Sequence, residues 1–155
     1  MTPWSTPNAV WVTAGAAEGT TELNAFDNAL LAAGVGNLNL IKVSSIVPPG
    51  SVLLDSPPDL TPGSLVPTVY TSVHSDTAGE TICAALGIGM GRDSHGMIFE
   101  HSASSREVAE RVVSGMVKEG FASRGLPLER LIVRAVEHRV ERLGCAIAAA
   151  VLWWR

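Results

Sequence analysis

Apolar positions along this chain recur with two periods, and each period marks a different kind of element. Residues 9–14 (Ala-Val-Trp-Val-Thr-Ala) form an apolar run that Gly15 closes, which predicts a first strand. Thr20 or Thr21 then offers an N-cap for a helix over about 22–33. Its apolar positions Leu23, Phe26 and Leu30 fall at three- and four-residue steps, and Gly34 supplies the stop. Residues 37–47 read as a strand running directly into Ser44 and Ser45. Extended segments follow at about 65–75, 81–90, 96–101 and 129–140, the last alternating Leu131, Val133 and Ala135 with Ile132, Arg134 and Val136.

Between 101 and 129 the period changes back to that of a helix. Ser104 and Glu107 are spaced as a capping box. Val108, Val112 and Met116, with Ala109 and Val113 beside them, predict one buried face, and Gly125 and Pro127 end it. The stretch Cys145 to Trp154 is apolar at nearly every position, the mark of a strand buried on both faces. The five prolines and two glycines of residues 48–63 predict a long loop, because proline cannot donate to a sheet ladder. The sum is about seven strands and two main helices. It predicts one α+β domain over residues 1–155, a layered αββα-type sandwich with largely antiparallel or mixed sheets.

Composition narrows the function. With 155 residues, 46% of them hydrophobic and 17% charged, the chain has apolar surface enough for one packed core. A formal charge of -4 with no basic run argues against nucleic-acid binding. The longest apolar stretch is about half the roughly 20 residues of a membrane helix, and the N-terminus lacks the basic and apolar regions of a signal peptide. Cys83 and Cys145 sit among small apolar residues and read as buried free thiols, as in a reducing cytoplasm. The expectation is a cytoplasmic protein with no membrane partner.

Familiar catalytic and phosphate-binding signatures are missing, and His74, His95, His101 and His138 have no metal-ligand spacing, so no metal site is expected. Ser44 and Ser45 remain. Two serines at a strand end are ordinary turn residues, but here an apolar strand feeds them and Pro48-Pro49 follows: Asn39-Leu-Ile-Lys-Val-Ser-Ser-Ile-Val-Pro-Pro-Gly50. With it stand Glu18-Gly-Thr-Thr-Glu-Leu-Asn-Ala-Phe-Asp27, Gly36-Asn-Leu-Asn39, Leu65-Val-Pro67, Gly79-Glu-Thr81, Ala135-Val-Glu-His138 and the closing Leu143 to Trp154. Over these segments the chain resembles the pyruvoyl-dependent arginine decarboxylases nearly end to end. It departs from them in the loop after Pro49 and in the turn Arg92-Asp-Ser-His-Gly96.

The resemblance implies that Ser44-Ser45 is a self-cleavage site. The Ser45 hydroxyl attacks the Ser44 carbonyl, the amide becomes an ester, and β-elimination frees the Ser44 carboxylate. Hydrolysis of the dehydroalanine left at position 45 gives a pyruvoyl group, so that the zymogen becomes a β chain of residues 1–44 and an α chain of residues 45–155. Asn39 is implied in oxyanion stabilisation; on a straight strand it lies about 20 Å from Ser45, so either the chain bends or a neighbouring subunit supplies it. Glu100, which on pattern alone is a strand-end carboxylate, is implied as the proton donor after loss of carbon dioxide. Asp27, at the edge of its helix stripe and on pattern alone more commonly a solvated flank residue, is the first choice to bind the substrate guanidinium, ahead of Glu22 and Glu80. The implied enzyme is a trimeric lyase making agmatine from arginine, in acid resistance or polyamine synthesis. A pyruvoyl decarboxylase for another amino acid, such as lysine or histidine, and an uncleaved non-catalytic trimeric homologue, are the alternatives.

Overall fold

A computed structural model describes residues 5–155. Its central layer boundary is drawn by alanine. The strand Gly144–Trp153 turns Ala146, Ala148, Ala150 and Leu152 to one side and Cys145, Ile147 and Val151 to the other, all buried. Both faces are therefore covered, as the unbroken apolar run predicts.

In chain order the elements are β1 (Ala9–Glu18), α1 (Glu22–Ala32), β2 (Asn39–Lys42), β3 (Ile46–Val47), β4 (Val52–Leu53), β5 (Leu65–Ser75), β6 (Thr81–Gly91), β7 (Gly96–Ala103), α2 (Arg106–Ser123), β8 (Leu128–Arg139) and β9 (Gly144–Trp153). They form a five-stranded sheet, β2-β5-β9-β1-β4, and a four-stranded sheet, β3-β7-β6-β8. The β1–β4 and β2–β5 pairs are parallel and the others antiparallel. Val10 and Val69 of one sheet pack with Leu86, Ile88 and Ile98 of the other. Helix α1 covers the outer face of the first sheet and α2 that of the second. This is the expected αββα sandwich, and the two strands beyond the expected seven are the short β3 and β4.

Several local expectations change. Gly15 does not end the first strand: β1 pairs with β9 from Ala9 through Glu18. Glycine is needed at 15 because a Cβ there would lie 2.4 Å from the Ala33 nitrogen, so it sets how closely α1 approaches the sheet. For the same reason the buried stripe of α1 is Ala25, Ala29 and Leu30, and Leu23 is left 76% exposed. Thr21 is the N-cap, accepting from the Asn24 N–H. The cap of α2 is Ser105, not Ser104 with Glu107, and its buried face is rotated by one position to Ala109, Val113, Val117, Gly120 and Phe121. Beneath it Gly89 leaves room that a Cβ would take from Phe121 and Val117, each 2.5 Å away. Burying the Phe121 ring stabilises this contact by about 2–3 kcal/mol. Both helices stop where glycine enters the left-handed region, Gly34 at φ 83° and Gly125 at φ 64°. Val35 N–H then bonds Leu30 O, and Leu126 N–H bonds Phe121 O. Cys83 and Cys145 are free and buried, and burial pushes the Cys145 thiol up to about 11. No helix among the described residues is long and apolar enough to cross a membrane.

At one end of the sandwich Glu18 ties β1 to the β8–β9 turn. Its carboxylate accepts from Arg142 N–H at 2.7 Å and Leu143 N–H at 3.1 Å and meets His138 Nε2 at 2.6 Å. Desolvation works against ionisation, but His138 and the backbone N–H groups of Arg142, Glu141 and Leu143 outweigh it and hold the carboxyl at about 2, against an ordinary 4.5. A depressed carboxyl stabilises the fold fully above its unfolded value and loses that contribution as the pH falls through its folded one. Glu18→Gln is therefore expected to cost about 1–2 kcal/mol at pH 7. In urea titrations across pH, its difference from the parent should close between pH 4.5 and pH 2.

Candidate active site

The strand expected over 37–47 is broken, and the break falls at the serine pair. Residues 39–42 form β2 on the edge of the five-stranded sheet, whereas 46–47 form β3 on the edge of the four-stranded one. Val43 N–H still donates to Thr68 O of β5 at 3.1 Å, and Ser45 O already accepts from Ile98 N–H of β7 at 2.8 Å. The Ser44–Ser45 peptide thus crosses from one sheet to the other, tied down on each side by a backbone hydrogen bond. Ser44 is exposed and Ser45 half-buried.

Ser45 borders a cavity of about 310 Å³ between the β7 edge and the last turns of α2, lined also by Phe99, Met116, Glu119, Gly120, Ser123 and Arg124. Sequence reasoning missed the helical side of this cavity. Its signal was faint: Gly120 is buried in the last turn of α2, where a Cβ would lie 2.8 Å from the Phe99 ring.

Glu100 lies on the same strand as the Ser45 anchor, on the face of β7 opposite Phe99. Ile98 is bonded to Ser45, and two residues along β7 return to the same face about 7 Å further on. Burial pushes the Glu100 carboxyl up, and the positive charge of Lys42 offsets part of that rise. Lys42, at the end of β2, has its ammonium 4.8 Å from the centre of the Tyr70 ring. Sequence reading passed over Lys42, because nothing in its neighbours along the chain points to Glu100.

The other expected residues are not gathered around Ser45. Asn39 opens β2, and its Nδ2 donates to Gly63 O at 3.0 Å, so it fastens the end of the proline-rich loop. The chain does bend after Lys42, but Asn39, Asp27 and Glu100 are not among the residues lining the Ser45 cavity. Asp27 is exposed on α1. Glu22 pairs with His74 at 2.7 Å beside a separate cavity of about 430 Å³ that Leu23, Phe26, Ser72 and Cys145 also line. Glu80 accepts a hydrogen bond from the Ser75 hydroxyl. The proline-rich segment is not all loop: Val52–Leu53 pairs in parallel with Ala9 and Val10.

A sequence profile described as pyruvoyl-dependent arginine decarboxylase matches residues 9–154. A protein of that name from Methanocaldococcus jannaschii is 49% identical over 152 residues, covering 96% of this chain and 92% of its own. A namesake from Pyrococcus furiosus is 47% identical over 152 residues, 96% of each chain. One from Methanococcus maripaludis is 41% identical over 156 residues, 99% of this chain and 94% of its own.

A carboxyl raised by burial destabilises the fold once it ionises. Its favourable contribution is complete below the unfolded pKa and is lost as the pH rises through the folded one. Glu100→Gln is expected to match the parent in urea midpoint at pH 4 and to exceed it at pH 8. An equal midpoint difference at both values would refute the assignment.

Proposed function

Because this chain belongs to the pyruvoyl-dependent arginine decarboxylase family, we propose that it cuts itself between Ser44 and Ser45 and converts L-arginine to agmatine and carbon dioxide. Membership makes it an amino-acid decarboxylase with a covalent pyruvoyl cofactor. The observation that carries the finer reading is the Ser44–Ser45 peptide stretched between two sheets by the Val43–Thr68 and Ile98–Ser45 hydrogen bonds.

An ordinary amide resists attack by a neighbouring hydroxyl, so cleavage needs its reacting atoms held close and its developing oxyanion stabilised. The two anchors supply the first requirement. They restrict rotation about the bonds between residues 43 and 45 and keep the Ser44 carbonyl at an exposed crossing. Asn39 is our candidate for the second: its amide spends one N–H on Gly63 O and has another to offer, in its own chain or across a subunit boundary.

The residue that would carry the cofactor fits its task, since Ser45 borders a cavity and its carbonyl is already held by Ile98 N–H. A pyruvoyl group supplies an electrophilic ketone that accepts the electrons left when carbon dioxide departs. Glu100 then delivers a proton to the former α-carbon. Burial favours the protonated carboxyl that this step requires.

Asp27 is exposed, and its carboxylate makes no hydrogen bond or ion pair among the described residues. It is free to bind a guanidinium bidentately at a site completed by a second copy. Leu23, Ile41, Ile46 and Leu65 are exposed by 41–76%. They support a homotrimer of cleaved protomers with substrate sites between subunits. Free buried thiols at Cys83 and Cys145 support a cytoplasmic setting.

Mass spectrometry of the purified protein should find fragments 1–44 and 45–155, and Ser45→Ala should stay intact. A parent chain that remains whole after long incubation would leave the non-catalytic homologue as the reading. Carbon dioxide release should be fastest with arginine among arginine, lysine and histidine. Asp27→Ala should lower kcat/KM for arginine about 10–100-fold, the loss of one charge-assisted contact. An equal loss for histidine would sink the guanidinium assignment.

A further inference from the structure

Self-cleavage at Ser44 creates a charge without its usual partner. Hydrolysis of an ordinary peptide yields a carboxylate and an ammonium together, and the two can pair. Here the bond from the Ser44 carbonyl carbon to the nitrogen of residue 45 breaks, one water is consumed, and that nitrogen leaves as ammonia. The α chain then begins with a ketone. Any cation that pairs with the new Ser44 carboxylate therefore comes from elsewhere in the fold.

The register of β3 on β7 shows which side of the sheet receives that carboxylate. Ile46 lies opposite Met97 and Val47 opposite Gly96. Carried back, the same register sets Ser45 level with Ile98, whose N–H its carbonyl accepts, and Ser44 level with Phe99. Residues level with each other across a ladder share a face. Phe99 lines the cavity of about 310 Å³ that Ser45 borders, on the α2 side of the four-stranded sheet. Two charged side chains line it as well, Glu119 and Arg124. Arg124 Nη1 donates to Gly120 O at 3.2 Å, and the rest of its fork has no partner among the described residues. His101 shares the face of Phe99 but does not line the cavity. Lys42 stands two residues before Ser44, yet its ammonium lies over the Tyr70 ring, on the α1 side of the other sheet.

We propose that Arg124 binds the carboxylate that self-cleavage creates at Ser44, fastening the end of the β chain to the α chain. The inference rests on the cut between Ser44 and Ser45. The planar guanidinium fork matches a carboxylate bidentately, so the contact takes over from the covalent link that is lost. Glu119, in the same cavity, repels the new terminus and limits how firmly it is held. Glu100 lies on the other face of β7, away from this pair.

Carboxypeptidase digestion of the processed enzyme, followed by mass spectrometry of the 1–44 fragment, reads how firmly that end is held. Arg124→Gln retains an N–H donor but removes the charge, and should lose Ser44 about three- to fivefold faster than the parent. Arg124→Lys should fall between the two. Glu119→Gln should be trimmed more slowly than the parent, and Lys42→Met at the parent rate. A urea comparison separates this contact from a merely structural role of Arg124. Arg124→Gln should lower the midpoint of the processed enzyme by about 0.3 M more than that of the uncleaved Ser45→Ala chain, which has no carboxylate at Ser44. Parent-like trimming of Arg124→Gln, with equal midpoint losses in both backgrounds, would overturn the inference and leave self-cleavage standing. Faster trimming in Lys42→Met alone would overturn it in favour of Lys42. A parent that yields no 1–44 fragment removes the premise, and the inference goes with it.

Discussion

The arrangement depends on a single crossing. Between Val43 and Ser45 the chain leaves one sheet and joins the other, and a backbone hydrogen bond secures each end. Sheets can share a strand only where the chain bends out of one ladder into the next, and the bend leaves the peptide between them without a ladder partner. Here that peptide joins the two serines. Had β2 continued straight, the same residues would have been paired in the middle of an edge strand, with the Ser44 carbonyl pointing along a ladder.

The rest of the sandwich keeps that crossing in register. The ten-residue ladder between β1 and β9 and the long pairing of β6 with β8 make two stiff sheets. Alanines on the inner face of β9 pack against the second sheet, and glycines on β1 and β6 let the helices come close on either side. Small residues sit at the points of closest approach, and larger ones such as Phe121 fill the space between. Close packing of this kind resists shear between layers, so Thr68 and Ile98, one in each sheet, fix the two ends of the serine segment.

Electrostatics is laid out at two ends of the same scaffold with opposite effect. Glu18 is surrounded by donors and stays ionised, which locks the β8–β9 turn to β1. Glu100 is half-buried, and burial raises its carboxyl above the usual carboxylate range. Both are strand glutamates; their environments, not their type, shift the two carboxyls in opposite directions.

By itself the sequence determined the inventory of elements, the helix caps to within a residue, the two-sided burial of Cys145 to Trp154 and the family to which the serine pair belongs. Those features are local or are carried by composition: a period shows which face is apolar, and a glycine or proline shows where an element stops. The tertiary structure alone decided that 39–42 and 46–47 lie in different sheets, that Asn39 is engaged by Gly63, that alanine rather than Leu23 seats α1, and that Lys42 lies over the Tyr70 ring. Each of these turns on a hydrogen bond, a packing distance or a charge interaction between segments far apart along the chain. Hydrophobic period records nothing about such partners, because any apolar strand can satisfy the same alternation against several different neighbours.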